Sequence, residues 1–190
     1  MNNFETVIDF GSKNLRLAIF DETSRSVYSS KKNFNSNFQE TGLEKSLNTL
    51  IRDAEKHLSM HIDSAIVLYD SPKFYSIDVS IKKLFDQPIS IEKVYSSLIE
   101  EANFIVSQNN FKDQLIHLIV NNVVVDDKKI LGSLNNDIEI QSLIIEIKFI
   151  FLNKSIIKDI SNIFKNNNLN ISNFYCSSYV KTFFYKKNFN

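Results

Sequence analysis

Five polar side chains surround one glycine near the start of the chain: Asp9, Ser12, Lys13, Asn14 and Arg16, with Gly11 between them. A backbone that reverses at Gly-Ser can aim its amide N–H groups at an anion, and an acidic residue just before the turn can hold a hydrated cation. The chemistry offered is therefore phosphate binding, with the Asp9 carboxylate available to a hydrated cation. The competing arrangement is an ordinary hairpin in which Asp9 and Arg16 pair across the strands and the turn binds nothing.

Other reactive residue types carry less. His57 and His61 are four apart, yet the helix should be ending there and no acidic or cysteine partner has matching spacing. Solvated or packed histidines are expected, and the same holds for His117. Cys176 falls in an expected buried strand and reads as a small core residue. Asp126-Asp127-Lys128-Lys129 reads as a solvated turn. No Ser/His/Asp spacing forms a hydrolytic triad, and no metal site or catalytic residue is assigned beyond the hydrated cation at Asp9.

The elements that must position these groups follow from hydrophobic periodicity. Val7, Ile8 and Phe10 form a first strand, and Leu15, Leu17 and Ile19 alternate in a second. A polar third strand is expected near residues 26–31. Thr41-Gly42-Leu43-Glu44 has the form of a capping box, and Leu43, Leu47, Leu50, Ile51, Ala54 and Leu58 then recur at helical spacing. Strands are expected over 65–69 and 74–81. A helix capped by Ser90 follows Pro88 and turns Val94, Leu98, Ala102, Ile105 and Val106 inward. Two long strands over 114–125 and 143–152 flank a polar stretch at 126–142. A helix after Asn153 buries Ile156, Ile157, Ile160 and Phe164 and stops at Asn166-Asn167-Asn168. A short strand over 169–175 and a helix from Ser177 close the sequence.

Asp9-Phe10-Gly11-Ser12 followed by Arg16 resembles the first phosphate motif of the actin and Hsp70-like ATPase superfamily. Within it, the order of elements resembles the bacterial cell-division family FtsA over nearly the whole chain. Pro88-Ile89-Ser90-Ile91-Glu92-Lys93-Val94 resembles the helix entry of that family's inserted subdomain, 1C, an SHS2-like insertion. Leu115 to Val120, Val125-Asp126 and Leu143 to Ile150 resemble its strands. The implied fold is mixed α+β and α/β. It comprises an actin-like, ribonuclease H-like partial subdomain and an inserted small antiparallel sheet with two helices on one face. Residues 1–60 would be the first part of subdomain 1A, 61–168 the 1C insert, and 169–190 the return to 1A. The second phosphate motif, expected shortly after this, has no counterpart over 169–190, so an N-terminal part of a longer protein is expected.

The resemblance implies functional residues as well. Asp9 would hold a magnesium-bound water, and the amides of Gly11, Ser12, Lys13 and Asn14, the Ser12 hydroxyl and Arg16 would face the β- and γ-phosphates of ATP. Lys13 and Asn14 depart from the family, which usually has Ser or Thr and often Lys at these positions. With half of a two-domain cleft, this chain is expected to bind neither ATP nor Mg and to lack ATPase activity. Glu139-Ile140-Gln141-Ser142 aligns with a Gly-Met-Ser-Gly-like loop of 1C, an interaction surface, and losing both glycines should make it stiffer and more strand-like. The implied role is a protein-interaction and self-assembly module of the division machinery that anchors FtsZ to the membrane. Its partners would be other division proteins and itself through 1C, while FtsZ and the membrane would be met through regions absent here. The alternative is an actin-like ATPase or a pilus-assembly relative with nucleotide-dependent activity.

Composition agrees with a folded, non-nucleic-acid protein. Among 190 residues 43% are hydrophobic, enough for one core or two small ones, and 22 basic residues balance 22 acidic ones. One cysteine excludes an internal disulfide framework. Asp9 and Asp21 interrupt any signal-peptide core, so the expectation is a cytosolic chain, at the inner face of the inner membrane in the full-length family. The aromatic end, Phe174 to Phe189, reads as a buried face, or as a self-association patch if a missing half of the fold would cover it.

Overall fold

The computed structural model describes residues 4–11, 14–33, 40–109, 112–130 and 138–189, with the side chains of 40, 41, 109 and 184–189 outside the description. In chain order the elements are β1 (Glu5–Phe10), β2 (Asn14–Phe20), β3 (Ser26–Asn33), α1 (Glu40–Leu58), β4 (Ser64–Tyr69) and β5 (Tyr75–Ser90). Then come α2 (Ile91–Asn109), β6 (Asp113–Val125), β7 (Lys128–Lys129), β8 (Glu139–Asn153), α3 (Lys154–Lys165), β9 (Asn170–Cys176) and α4 (Ser177–Phe189). They form two compact units, Met1–Lys73 with Ser155–Asn190, and Phe74–Lys154.

The first unit is built on a five-stranded sheet of order β3-β2-β1-β4-β9. β1, β2 and β3 are antiparallel neighbours, whereas β4 runs parallel to β1 and β9 parallel to β4. This is the ribonuclease H-like sheet of the actin-like fold. Alternation decides its buried face: Ile8, Phe10, Leu15, Leu17, Ile19, Ala65 and Val67 point the same way and are at most 1% exposed. The stripe of α1 (Leu43, Leu47, Leu50, Ile51, Ala54) and Ile160 and Phe164 of α3 complete this core. Phe10 anchors it, with its ring 6.4 Å from Phe164 and 5.8 Å from Tyr69.

The connections are set by local chemistry. Asp21 accepts bonds from the Thr23 and Arg25 amides at 2.8 and 3.0 Å and from the Thr23 hydroxyl at 2.7 Å, which fixes the β2–β3 turn. The Thr23 hydroxyl is the main cause that holds the Asp21 carboxyl below its ordinary pKa. Both core helices end in Schellman motifs: Ser59 and Asn168 take positive φ, while Met60 and Leu169 donate back to the carbonyls of Glu55 and Phe164. At its other end α1 begins at Glu40, so Thr41 lies inside the first turn and not at the cap position.

The second unit has a four-stranded antiparallel sheet of order β5-β8-β6-β7. β8 is central, and Leu143, Ile145, Ile147, Phe149 and Phe151 along one face are 0–2% exposed. They pack with Ile91, Leu98, Ala102 and Val106 of α2 and with Val123 and Val125 of β6. This unit differs from the expected 61–168 insert. β4 hydrogen-bonds beside β1 in the first sheet and α3 buries Ile160 and Phe164 in the first core, so one helix, not two, packs in the insert's core. β5 also runs longer than expected, through Pro88 to Ser90, because the ladder breaks between Leu84 and Ile89 and then resumes with Ile89 opposite Ile140.

Candidate functional site

β1, β4 and β9 are parallel, so their carboxyl ends share one rim of the first sheet, and β2 starts from that rim. Ligands of open α/β sheets bind at such rims. Here the rim carries Asp9, Gly11, Asn14 and Arg16 from the hairpin, Asp70 after β4, and Ser177 and Ser178 at the start of α4. Asp9 and Arg16 are directly opposite across the hairpin, with Arg16 Nη1 3.7 Å from Asp9 Oδ2. The other carboxylate oxygen, Oδ1, accepts a hydrogen bond from the Ser177 hydroxyl at 3.3 Å, and Ser177 is fully buried. Ser178 donates to Asp70 Oδ1 at 3.4 Å, and the Asp70 amide donates to the Phe10 carbonyl at 3.0 Å.

Two carboxylates thus meet serine hydroxyls in the first turn of α4, where the helix dipole favours negative charge by about 0.3–1 kcal/mol each. The Arg16 side chain is 52% exposed and its pairing with Asp9 is long, so that contact contributes little, roughly 0–1 kcal/mol. Asp9 has local work in the fold: it joins the β1 end to the α4 start.

Gly11 and Asn14 are hydrogen-bonded across the base of the hairpin turn. The Gly11 amide donates to the Asn14 carbonyl at 3.0 Å, and a Cβ at Gly11 would lie 3.2 Å from that oxygen. Glycine is present because the chain passes close to itself, and this amide is not directed at a ligand. Ser12 and Lys13 lie outside the described residues. Of the groups the resemblance assigns, the Gly11 amide donates to Asn14, and Asp9, expected to hold a metal-bound water, contacts Ser177 and, at 3.7 Å, Arg16.

Sequence reasoning missed Asp70, Ser177 and Ser178. Asp70 follows a strand and the two serines open a helix, none within a motif, and Ser177 is 168 positions from Asp9. The usable signal was positional: three strands running parallel must end on the same rim.

The 139–142 segment is the start of β8. Glu139 and Ile140 pair with Ser90 and Ile89, and Ile140 is fully buried, so this residue cannot belong to an interaction surface. Alternation leaves Glu139 and Gln141 exposed and Ser142 half-buried. Asp126 is more than a solvated turn residue. At a φ of 46° its carboxylate accepts from the Gln141 and Ser142 amides at 3.0 and 2.7 Å and from the Ser142 hydroxyl at 3.4 Å.

The histidines also have partners. His61 sits between Glu55, at 2.5 Å, and Asp63, at 3.4 Å, where the sequence suggested no acidic neighbour, because a helix end folds 55, 61 and 63 together. The His57 ring lies 5.1 Å from that of Tyr28. Burial holds the half-buried His117 below its ordinary pKa. Among the described residues no group of three His, Cys, Asp or Glu is placed to hold a metal ion. Cys176 is buried. At the aromatic end Phe174 packs on the first core and Phe183 is 58% exposed, and the side chains of Phe184, Tyr185 and Phe189 lie outside the description. No described helix is long and apolar enough to cross a membrane.

No family model and no curated protein matches the sequence. Solved structures do. A structure of the PilM-PilN type IV pilus biogenesis complex matches with a TM-score of 0.56 at 8% identity, over 94% of this chain and 49% of that one. The cytoplasmic domain of EpsL, an inner membrane component of the type II secretion system of Vibrio cholerae, matches with a TM-score of 0.43 at 10% identity, over 92% and 56%. A protein of unknown function with an actin-like ATPase fold from Bacteroides thetaiotaomicron matches with a TM-score of 0.38 at 13% identity, over 97% and 56%. The chain spans about half the length of these structures. At such identities the likeness is one of fold, actin-like over nearly the whole chain.

Proposed function

We propose that the chain acts as a protein-interaction and self-assembly module on an actin-like fold, with the 74–154 unit as its contact surface, and that it does not turn over ATP. The observation that carries this is the closed rim: Ser177 and Arg16 engage Asp9, and Asn14 engages the Gly11 amide. A hydrolase would need those groups directed at a phosphate and its metal. The insert, by contrast, has its own core and its own edges.

In this reading the FtsA resemblance gives the setting, a cytoplasmic division complex on the inner face of the membrane that holds FtsZ through regions outside this chain. The fold likeness to a pilus-biogenesis structure favours a second setting, a pilus-assembly complex, with the same non-catalytic role. The test is a thermal melt with and without Mg-ATP. An unchanged midpoint is expected. A rise of several degrees that saturates with nucleotide would show a nucleotide site, overturn the premise of this reading and favour the actin-like ATPase alternative.

A further inference from the structure

Each sheet ends in strands whose outer backbone groups have no ladder partner among the described residues, and such edges template pairing with another chain. The edges are β3 and β9 in the first unit and β5 and β7 in the second. Three are poor candidates for self-pairing. β3 carries only basic charge, Lys31 and Lys32, β7 is two lysines long, and β9, with no charged residue, offers no charge pair to set a register. β5 differs. Its 75–84 half is regular, while Pro88 and the broken ladder between Leu84 and Ile89 blunt the other half.

Along that regular half, Asp78, Ser80 and Lys82 lie on one face and Ile77, Val79 and Ile81 on the other. The first three are exposed and the apolar three half-buried. Asp78 is 62% exposed even though Lys148 of the neighbouring strand donates to it at 2.9 Å. Lys82 makes no ion pair among the described residues. A two-fold axis through Ser80 would set Asp78 opposite the partner's Lys82 and Lys82 opposite the partner's Asp78. On the other face, Val79 would meet the partner's Ile81 and Ile81 the partner's Val79. Opposite charges and apolar pairs directly across antiparallel strands are both favourable. A shift of register by one residue would move the apolar set to the other face, so the pattern also selects the register.

We propose that two copies of this chain associate edge to edge through β5, antiparallel about Ser80, joining the two inserts into one continuous sheet. The proposal rests on the reading of the insert as an assembly surface and specifies the contact. It needs no particular cellular setting and says nothing about nucleotide.

Sedimentation velocity on the full chain, from tens to hundreds of micromolar, tests it. The native protein should show a concentration-dependent dimer. D78K places lysines opposite one another twice and should raise the dimer dissociation constant roughly tenfold or more, whereas D78K/K82D restores both pairs and the dimer. In S80C the two thiols meet at the axis, so a short bis-maleimide should cross-link it, with the native chain, whose only cysteine is the buried Cys176, as background. A native protein that stays monomeric, a dimer indifferent to D78K, or an S80C chain that links no better than native overturns the proposal. Because none of these outcomes reads nucleotide, they are separable from a positive Mg-ATP melt.

Discussion

Replacing Phe164 with alanine tests whether the chain returns to the first core after the insert. The side chain is fully buried and its ring lies 6.4 Å from that of Phe10. Truncating a buried phenylalanine costs about 3–5 kcal/mol, part of it from the lost ring pair. Set against a total stability on the order of 5–15 kcal/mol, this is a large share. Hydrogen exchange followed by mass spectrometry reads the consequence locally. Peptides covering β1, β4 and α1 should lose protection by roughly 100-fold or more, since each tenfold is about 1.4 kcal/mol. Peptides covering β8, whose Phe149 belongs to the other core, should keep theirs. The matched variant Phe149→Ala should invert the pattern. Equal loss in both regions for either variant would refute two separately held cores.

Three smaller effects follow from single groups. Asp126→Ala removes three accepted hydrogen bonds and leaves a non-glycine residue at positive φ, so a loss of about 1–3 kcal/mol is expected in urea unfolding, with Asp126→Asn retaining much of it. Partial desolvation of the 39%-exposed Tyr75 and, after it, its bond to Asp113 at 2.8 Å push the phenol up to about 12 from 10.0. The native state therefore holds this proton longer than the unfolded chain, and stability present below pH 10 should fall as pH rises toward 12. Absorbance titration of Tyr75→Phe should lack that late-titrating phenol. His117 has its pKa lowered by burial from 6.5, so its contribution is present above that pH and is lost as the solution is acidified through the folded value. His117→Gln should flatten that part of the stability profile.

The hairpin, the helices and most strands were legible because their apolar residues repeat with clear periods, as in Leu43 to Ala54 and Leu143 to Phe151. What periodicity could not reveal was partnership. Val67 and Ile145 are equally apolar strand residues, yet one belongs beside Ile8 and the other beside Val123 in a different sheet. The expected insert, 61–168, is accordingly wider than the second compact unit, Phe74–Lys154. β5 was cut short because Asp86, Gln87 and Pro88 break its alternation before Ile89 re-pairs. At the rim, Asp9, Gly11 and Arg16 were legible from one contiguous motif. Asp70, Ser177 and Ser178 were not, since only the parallel pairing of distant strands brings them there.

The proposed non-catalytic role requires that Asp9, Arg16 and the Gly11 amide keep their contacts within the chain when nucleotide is offered. Amide NMR spectra titrated with Mg-ATP address it most directly. The account predicts that the resonances of Gly11, Asn14, Asp70 and Ser177 do not move. Saturable shifts centred on those four residues would contradict it.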